Sequence, residues 1–199
     1  MKFAELDLNK VYTYADYFKW KFEERVELIK GKVFRMSPAP SRMHQKLSNH
    51  INFQLYKHLL GKKCEVYTAP FDVRLPRKSS DDKEIYTVLQ PDVCVICDPA
   101  KLDKRGCLGA PDIVVEVLSP GNNAKELKNK YEVYEEAGVK EYWIVQPQYC
   151  SMVQYKLENG KYQPSRQLTT GDVVTTDILE GFVLDLTALF AEIDVDEMD

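Results

Sequence analysis

Between residues 91 and 147 the chain switches between two hydrophobic periods, and this segment constrains the fold more than any other. PDVCVIC (91–97) and PDIVVEVL (111–118) are short apolar runs rich in β-branched residues, each opened by Pro-Asp, and both read as strands. Ser119-Pro120-Gly121 breaks the chain. NNAKELKNKYEVYEEAG (122–138) then reads as a helix, with Asn122 or Asn123 able to cap it and Gly138 able to end it. VKEYWIVQP (139–147) returns to a strand. A strand–strand–helix–strand run must bury a sheet beneath a helix, which makes the class mixed α/β.

The flanks fit that frame. YTYADYFKW (12–20) reads as a short helix with Thr13 as N-cap and Asp16 three residues on. VELIKGKVFRM (26–36) reads as a hairpin turning at Lys30-Gly31. SPAPSR (37–42) is a loop. A helix over about 42–60 carries Leu47, Ile51, Leu55 and Leu59 on one stripe. CEVYTAPFDVRLP (64–76) reads as extended, interrupted near Pro70, and RKSSDDKE (77–84) as a polar loop. A hairpin around Glu158-Asn159-Gly160 and a short element at 184–190 complete the chain. At 199 residues one domain is the expectation, with its core over about 12–190 and an acidic tail at 191–199.

Composition narrows the function classes. No apolar run is long enough to cross a bilayer, and MKFAELDLNK lacks the layout of a signal peptide, so a cytoplasmic protein is expected. Five scattered cysteines fit a reducing compartment, and Cys94 and Cys97 read as buried structural thiols rather than a zinc or redox CxxC. The net charge of −4 is unevenly spread. Residues 1–78 carry 16 Lys+Arg against 8 Asp+Glu, and residues 79–199 carry 11 against 23. A basic half joined to a carboxylate-rich half suits an enzyme that holds a polyanion near a cation.

Glu116 is the most informative residue. It stands in IVVEVL, where an unpartnered buried carboxylate is expensive and a structural strand would use Val or Ile. Asp92 opens the preceding strand, so pairing of the two strands would bring the carboxylates together at one sheet end. Their repulsion would be relieved by a hard divalent cation, Mg²⁺ or Mn²⁺. Asp112, four residues before Glu116 on the same strand face, is the competitor to Asp92. On the 122–138 helix, Tyr131 and Tyr134 fall near Leu127 on the buried stripe. Lys130 lies about 60° to one side, where its stem can bury and its ammonium reach the strand ends. A salt bridge from Lys130 to Glu126 is the bland alternative. Glu27, within the apolar run VELI, and His44, at the start of a helix, are supporting candidates.

At these residues the chain resembles a known family. YTYADYFKW, VELIKGKVFRMSPAPSRMH, QPDVCVICDP and GAPDIVVEVLSPGNNAKELKNKYEVYEEAGVKEYWIV follow one another as in the Uma-type restriction endonucleases of the PD-(D/E)XK nuclease superfamily. The resemblance runs from about Tyr12 to Phe190. It implies a restriction-endonuclease-like mixed sheet flanked by helices and Mg²⁺-dependent hydrolysis of phosphodiesters in nucleic acid, with DNA the expected partner; a homodimer through the second half of the chain is a separate expectation that belongs to a structural role. It matches Asp92 and Glu116 to the metal-binding pair. The superfamily's lysine stands two residues after the acidic one, where this chain has Leu118, and Uma-type relatives supply it from the next helix, which points to Lys130. Glu27 and His44 match positions recurring near the first hairpin and helix. Gln146 stands where an Asp often follows the Tyr-Trp strand. Lys30, Lys32, Arg35 and Arg42 are the candidates to line the nucleic-acid approach. The competing expectation is a catalytically silent nuclease fold that binds nucleic acid or protein.

Overall fold

The structure is a computed structural model. It describes residues 3–36, 40–119, 124–191 and 193, with the backbone alone at 124–126. The expected caps at Asn122 and Asn123, the start of the 37–42 loop, the Glu126 side chain and nearly all of the acidic tail lie outside the described residues.

The chain opens with α1 (Tyr14–Tyr17), a hairpin of β1 (Val26–Ile29) and β2 (Lys32–Arg35), and the long helix α2 (Arg42–Leu59). β3 (Glu65–Thr68), β4 (Val73–Arg74), β5 (Val88–Leu89) and β6 (Val93–Ile96) follow, then β7 (Leu102–Asp103), β8 (Gly106–Leu108) and β9 (Ile113–Val117). After α3 (Ala124–Ala137) come β10 (Glu141–Gln146), β11 (Ser151–Glu158) and β12 (Lys161–Pro164). The chain closes with β13 (Leu168–Thr169), β14 (Val173–Thr175), β15 (Val183–Asp185) and α4 (Leu186–Phe190).

The larger sheet runs β12-β11-β10-β9-β6-β3, with β13 beside β11. A second sheet runs β2-β1-β5-β4-β8-β7. β9, α3 and β10 form a parallel crossover unit at the centre, and β6 pairs antiparallel with β9. The strand–strand–helix–strand reading of 91–147 is thus the structural centre of the larger sheet. Its two faces separate as the period-2 pattern requires. Val93, Val95, Val115, Trp143 and Val145 pack toward the Leu47, Ile51, Leu55 and Leu59 stripe of α2. Cys94, Ile96, Val114, Tyr142 and Ile144 pack on the other side with Val133 and Tyr134 of α3 and with Val73 and Leu89 of the second sheet.

Local chemistry explains the element ends. Ser41 caps α2 by accepting from the His44 N–H at 3.2 Å. Lys30 and Gly31 both adopt positive φ, the two-residue turn that matches strand twist. A Cβ at Gly31 would lie 2.5 Å from Val11 Cγ1, so both backbone and space demand glycine there.

Several expectations are corrected. The 12–20 helix is a single turn, although Asp16 accepts from the Thr13 N–H and hydroxyl as its spacing suggested. The extended stretch 64–76 divides at Pro70 into strands of different sheets. Cys97 is not a buried free thiol: it is bonded to Cys64, which stands opposite it where β3 and β6 pair. Cys94 does stay a fully buried free thiol, and burial pushes its pKa well above the usual range.

Candidate active site

The antiparallel pairing of β6 with β9 sets Val93 opposite Val115, so Asp92 and Glu116 stand next to each other at the same sheet end. The Asp92 carboxylate folds over this end and accepts the Val117 N–H at 2.8 Å through Oδ2. The same oxygen lies 3.1 Å from His44 Nε2. A carboxylate can only accept from an imidazole, so Nε2 carries the proton, and His44 Nδ1 is buried without a partner among the described residues.

Lys130 and Glu27 complete the cluster from two further elements. Lys130 Nζ lies 3.0 Å from Glu116 Oε1 and 3.2 Å from Glu27 Oε1. Tyr134, one turn along α3, donates to Glu116 Oε1 at 2.9 Å. Glu27, on β1, also accepts the main-chain N–H of Gln90 at 2.9 Å. Glu27, Glu116 and Lys130 are 2%, 7% and 5% exposed, so these charges interact in a poorly screened interior.

That setting controls their protonation. Burial pushes the Glu116 carboxyl up to about 8, against the pull of Lys130 and with the help of Asp92 and Glu27. Burial alone would lower Lys130, but Glu116 and Glu27 outweigh it and hold the ammonium charged. Burial, then Glu116, keeps the Tyr134 hydroxyl protonated as a donor.

The donor set bears on a metal. The hydrogen bonds above fall on one oxygen of each carboxylate: Oδ2 of Asp92 and Oε1 of Glu116 and Glu27. Among the described residues, Oδ1 of Asp92 and Oε2 of Glu116 accept no hydrogen bond and could face a hard cation. Among the described residues, no three or more His, Cys, Asp or Glu side chains come together as a metal-binding group. An ion would rest on two carboxylates and complete its shell with water or substrate oxygen, which fits Mg²⁺ better than a metal needing an all-protein cage. The cluster opens on a cavity of about 150 Å³, lined also by Arg25, Gln90, Ser48 and Asn49.

Not every candidate comes here. Asp112 stands at the opposite end of β9 from Glu116. Its Oδ1 lies 2.7 Å from Lys140 Nζ and its Oδ2 accepts the Cys97 N–H at 2.7 Å, so it holds a strand end. Lys30 pairs with Glu132 and Glu136 of α3, Lys32 donates to the Asn9 carbonyl at 2.5 Å, and Arg35 lies over the Phe3 ring. None of the three lines the cavity, nor does Arg42. Tyr134 and Gln90 are site residues that sequence reasoning did not assign. Tyr134 was findable, four residues from Lys130 and so on the same helix face.

The fold and its arrangement define the class, a nuclease-like mixed α/β protein. A crystal structure titled as a putative nuclease belonging to DUF820, from Anabaena variabilis ATCC 29413, shares the fold with a TM-score of 0.71. The match covers 91% of this chain and 98% of that one at 16% sequence identity. The family model described as "Uma2: Putative restriction endonuclease" matches residues 14–187, and the chain belongs to that family. An uncharacterized protein of Synechocystis sp. is 28% identical over 121 residues, which is 60% of this chain and 60% of that protein. Among the described residues, no helix is long and apolar enough to cross a membrane.

Proposed function

We propose that the protein is a metal-dependent endonuclease that hydrolyses phosphodiester bonds of nucleic acid, with DNA as substrate and Asp92, Glu116 and Lys130 as its catalytic residues. The observation that carries this reading is the Lys130 ammonium held at 3.0 Å from Glu116, with Asp92 beside them at one cavity. Asp92 and Glu116 would hold Mg²⁺ or Mn²⁺, which supplies charge neutralisation at the phosphate and acidifies water when bound. His44 and the Val117 N–H fix Asp92 through Oδ2 and keep Oδ1 available. Glu27 and Tyr134 fix the Lys130–Glu116 pair from the far side. Lys130 sets its ammonium where a water attacking the phosphate would be oriented and where negative charge builds.

Plasmid cleavage in Mg²⁺ or Mn²⁺ tests this, comparing wild type with Glu116→Gln and Lys130→Met. Loss of cleavage in folded variants is expected, and equal cleavage by all three would overturn the assignment. The reading also carries action in the cytoplasm and a homodimer, the latter checked by light scattering.

A second reading has one observation in its favour: Lys130 is already neutralised by two carboxylates, and no three-ligand metal group forms among the described residues. On that reading the fold is a silent nucleic-acid or protein-binding module. Calorimetric Mn²⁺ titration separates the two, since an enzyme site binds Mn²⁺ and loses it in Asp92→Asn.

A further inference from the structure

The bonds around Gln90 join the carboxylate cluster to a second charged group in the same cavity. Arg25 stands immediately before β1. Its Nε and Nη2 both reach Gln90 Oε1, at 3.2 and 2.7 Å. The Gln90 side-chain amide is fixed in turn, its Nε2 donating to Asp72 Oδ1 at 2.9 Å and to the Tyr17 hydroxyl at 3.1 Å. Tyr17 donates to the same Asp72 oxygen at 3.0 Å, and burial raises its pKa so that the hydroxyl stays protonated. With a carboxylate on its nitrogen and a guanidinium on its oxygen, the amide has one sensible orientation. The Gln90 main-chain N–H meanwhile holds Glu27 Oε1, the oxygen 3.2 Å from Lys130.

Charge assigns this arrangement a role. Among the described residues lining the cavity, only Arg25 and Lys130 carry fixed positive charge. Lys130 is committed to Glu116 and Glu27. Among the described residues, Arg25 is the lining cation left for an incoming anion: its two bonds to Gln90 use Nε and Nη2, and Nη1 bonds to none of them. A guanidinium matches phosphate geometry better than an ammonium, and one held in place beforehand loses less freedom on binding.

We propose that Arg25 is the phosphate-binding residue of this cavity and Gln90 its positioning residue, docking one backbone phosphate of a nucleic-acid strand beside Glu116 and Lys130. The inference rests on the nuclease reading above. It moves the substrate contact away from Lys30, Lys32 and Arg35, which are engaged elsewhere.

The test uses the full chain and a fluorescein-labelled DNA oligonucleotide. Binding is followed by anisotropy in EDTA over a salt series, and cleavage in Mg²⁺ or Mn²⁺. Arg25→Gln is expected to weaken binding about tenfold and to lower the salt slope by about one unit. In cleavage it raises KM more than it lowers kcat. Gln90→Met gives a smaller rise in KM, and adds nothing in the Arg25→Gln background, because its effect runs through Arg25. Added guanidinium partly restores Arg25→Ala, which a merely structural arginine would not allow. Arg25→Lys, which keeps the charge without the fork, covers the case in which the truncations fail to fold. It falls between wild type and Arg25→Gln. A wild type that cleaves while every Arg25 variant keeps its KM and salt slope overturns the clamp and leaves the nuclease standing. A wild type that neither binds nor cleaves overturns both.

Discussion

Glu116 and Glu141 are buried glutamates on neighbouring parallel strands of one sheet, and they do opposite things. Glu141 pairs with Ile113 at one end of the β9–β10 ladder, and Glu116 pairs with Ile144 toward the other. Glu141 Oε2 accepts from Trp143 Nε1 at 2.9 Å and Gln154 Nε2 at 2.8 Å, while Oε1 accepts the Thr176 hydroxyl at 2.8 Å. Both of its oxygens are used, by neutral donors. Glu116 has Lys130 and Tyr134 on one oxygen, two more carboxylates nearby, and a cavity on the open side. A buried charge inside a strand therefore does not by itself mark chemistry. What marks it is a coordination shell left half filled and a like charge close by.

The largest consequence concerns activity. Glu116→Gln is expected to lower kcat by about 10³-fold, and Lys130→Met comparably, since each removes an electrostatic element of a water-poor site. Glu141→Gln should keep cleavage within a few-fold in the folded fraction. Steady-state plasmid kinetics measure all three. If Glu141→Gln lost as much kcat as Glu116→Gln while remaining folded, the contrast between the two glutamates would be wrong.

Stability should rank them the other way. Glu141→Ala leaves the donors of Trp143, Gln154 and Thr176 without an acceptor, and about 3 kcal/mol of destabilisation follows even if their costs are not additive. Glu116→Gln stands in for the protonated acid that burial favours at pH 7 and keeps an acceptor for Lys130 and Tyr134, so it should not destabilise the metal-free protein. Urea midpoints at pH 7 without metal decide the ranking.

The pH dependence sharpens the comparison further. Glu116 ionises at about 8 in the folded chain, chiefly because it is buried, against an ordinary value of 4.5. Between those values the native state holds a proton that the unfolded chain has released. Stability of the metal-free protein therefore falls as pH rises from about 4.5 to about 8, and this contribution levels off above that. Glu116→Gln removes that slope, and Glu141→Gln leaves it in place. Urea midpoints read across this pH window in EDTA check the sign; a slope unchanged in Glu116→Gln would assign it to another group.

How much of this was legible in the sequence follows from what periodicity can encode. The β9–α3–β10 unit was readable because its apolar runs and helical stripe are long. Of the second sheet only the β1–β2 hairpin was, because β4, β5 and β7 are two residues each and no period develops in so short a run. Glu116 stood out as a carboxylate among aliphatic residues, yet Glu141 in KEYWIV looks much the same, and only the cross-strand and loop donors Gln154 and Thr176 tell them apart. Glu27 read as a lone residue of modest interest until the β1 strand placed it 3.2 Å from Lys130. Gln90 gave no hint at all, since its role depends on partners 18 to 73 residues away. The Cys64–Cys97 bond was hidden for the same reason: pairing of β3 with β6 is a tertiary fact.

The two Pro-Asp segments give the smallest expected effect and the finest test. Asp92 and Asp112 open similar strands and look interchangeable in sequence, but antiparallel pairing sends them to opposite ends of β9. Asp112→Asn keeps an oxygen for the Cys97 N–H and loses only the pair with Lys140, whose side chain is 63% exposed. Solvent screens such a pair, so the cost should be about 1 kcal/mol or less in urea denaturation. Cleavage by Asp112→Asn should match wild type, whereas Asp92→Asn, which changes the carboxylate held by His44 and the Val117 N–H, should lose cleavage while remaining folded. If the two substitutions gave the same loss of cleavage with the same midpoint, position along β9 would not distinguish them, and the chemistry would have to be sought nearer the Asp112 end of the strand.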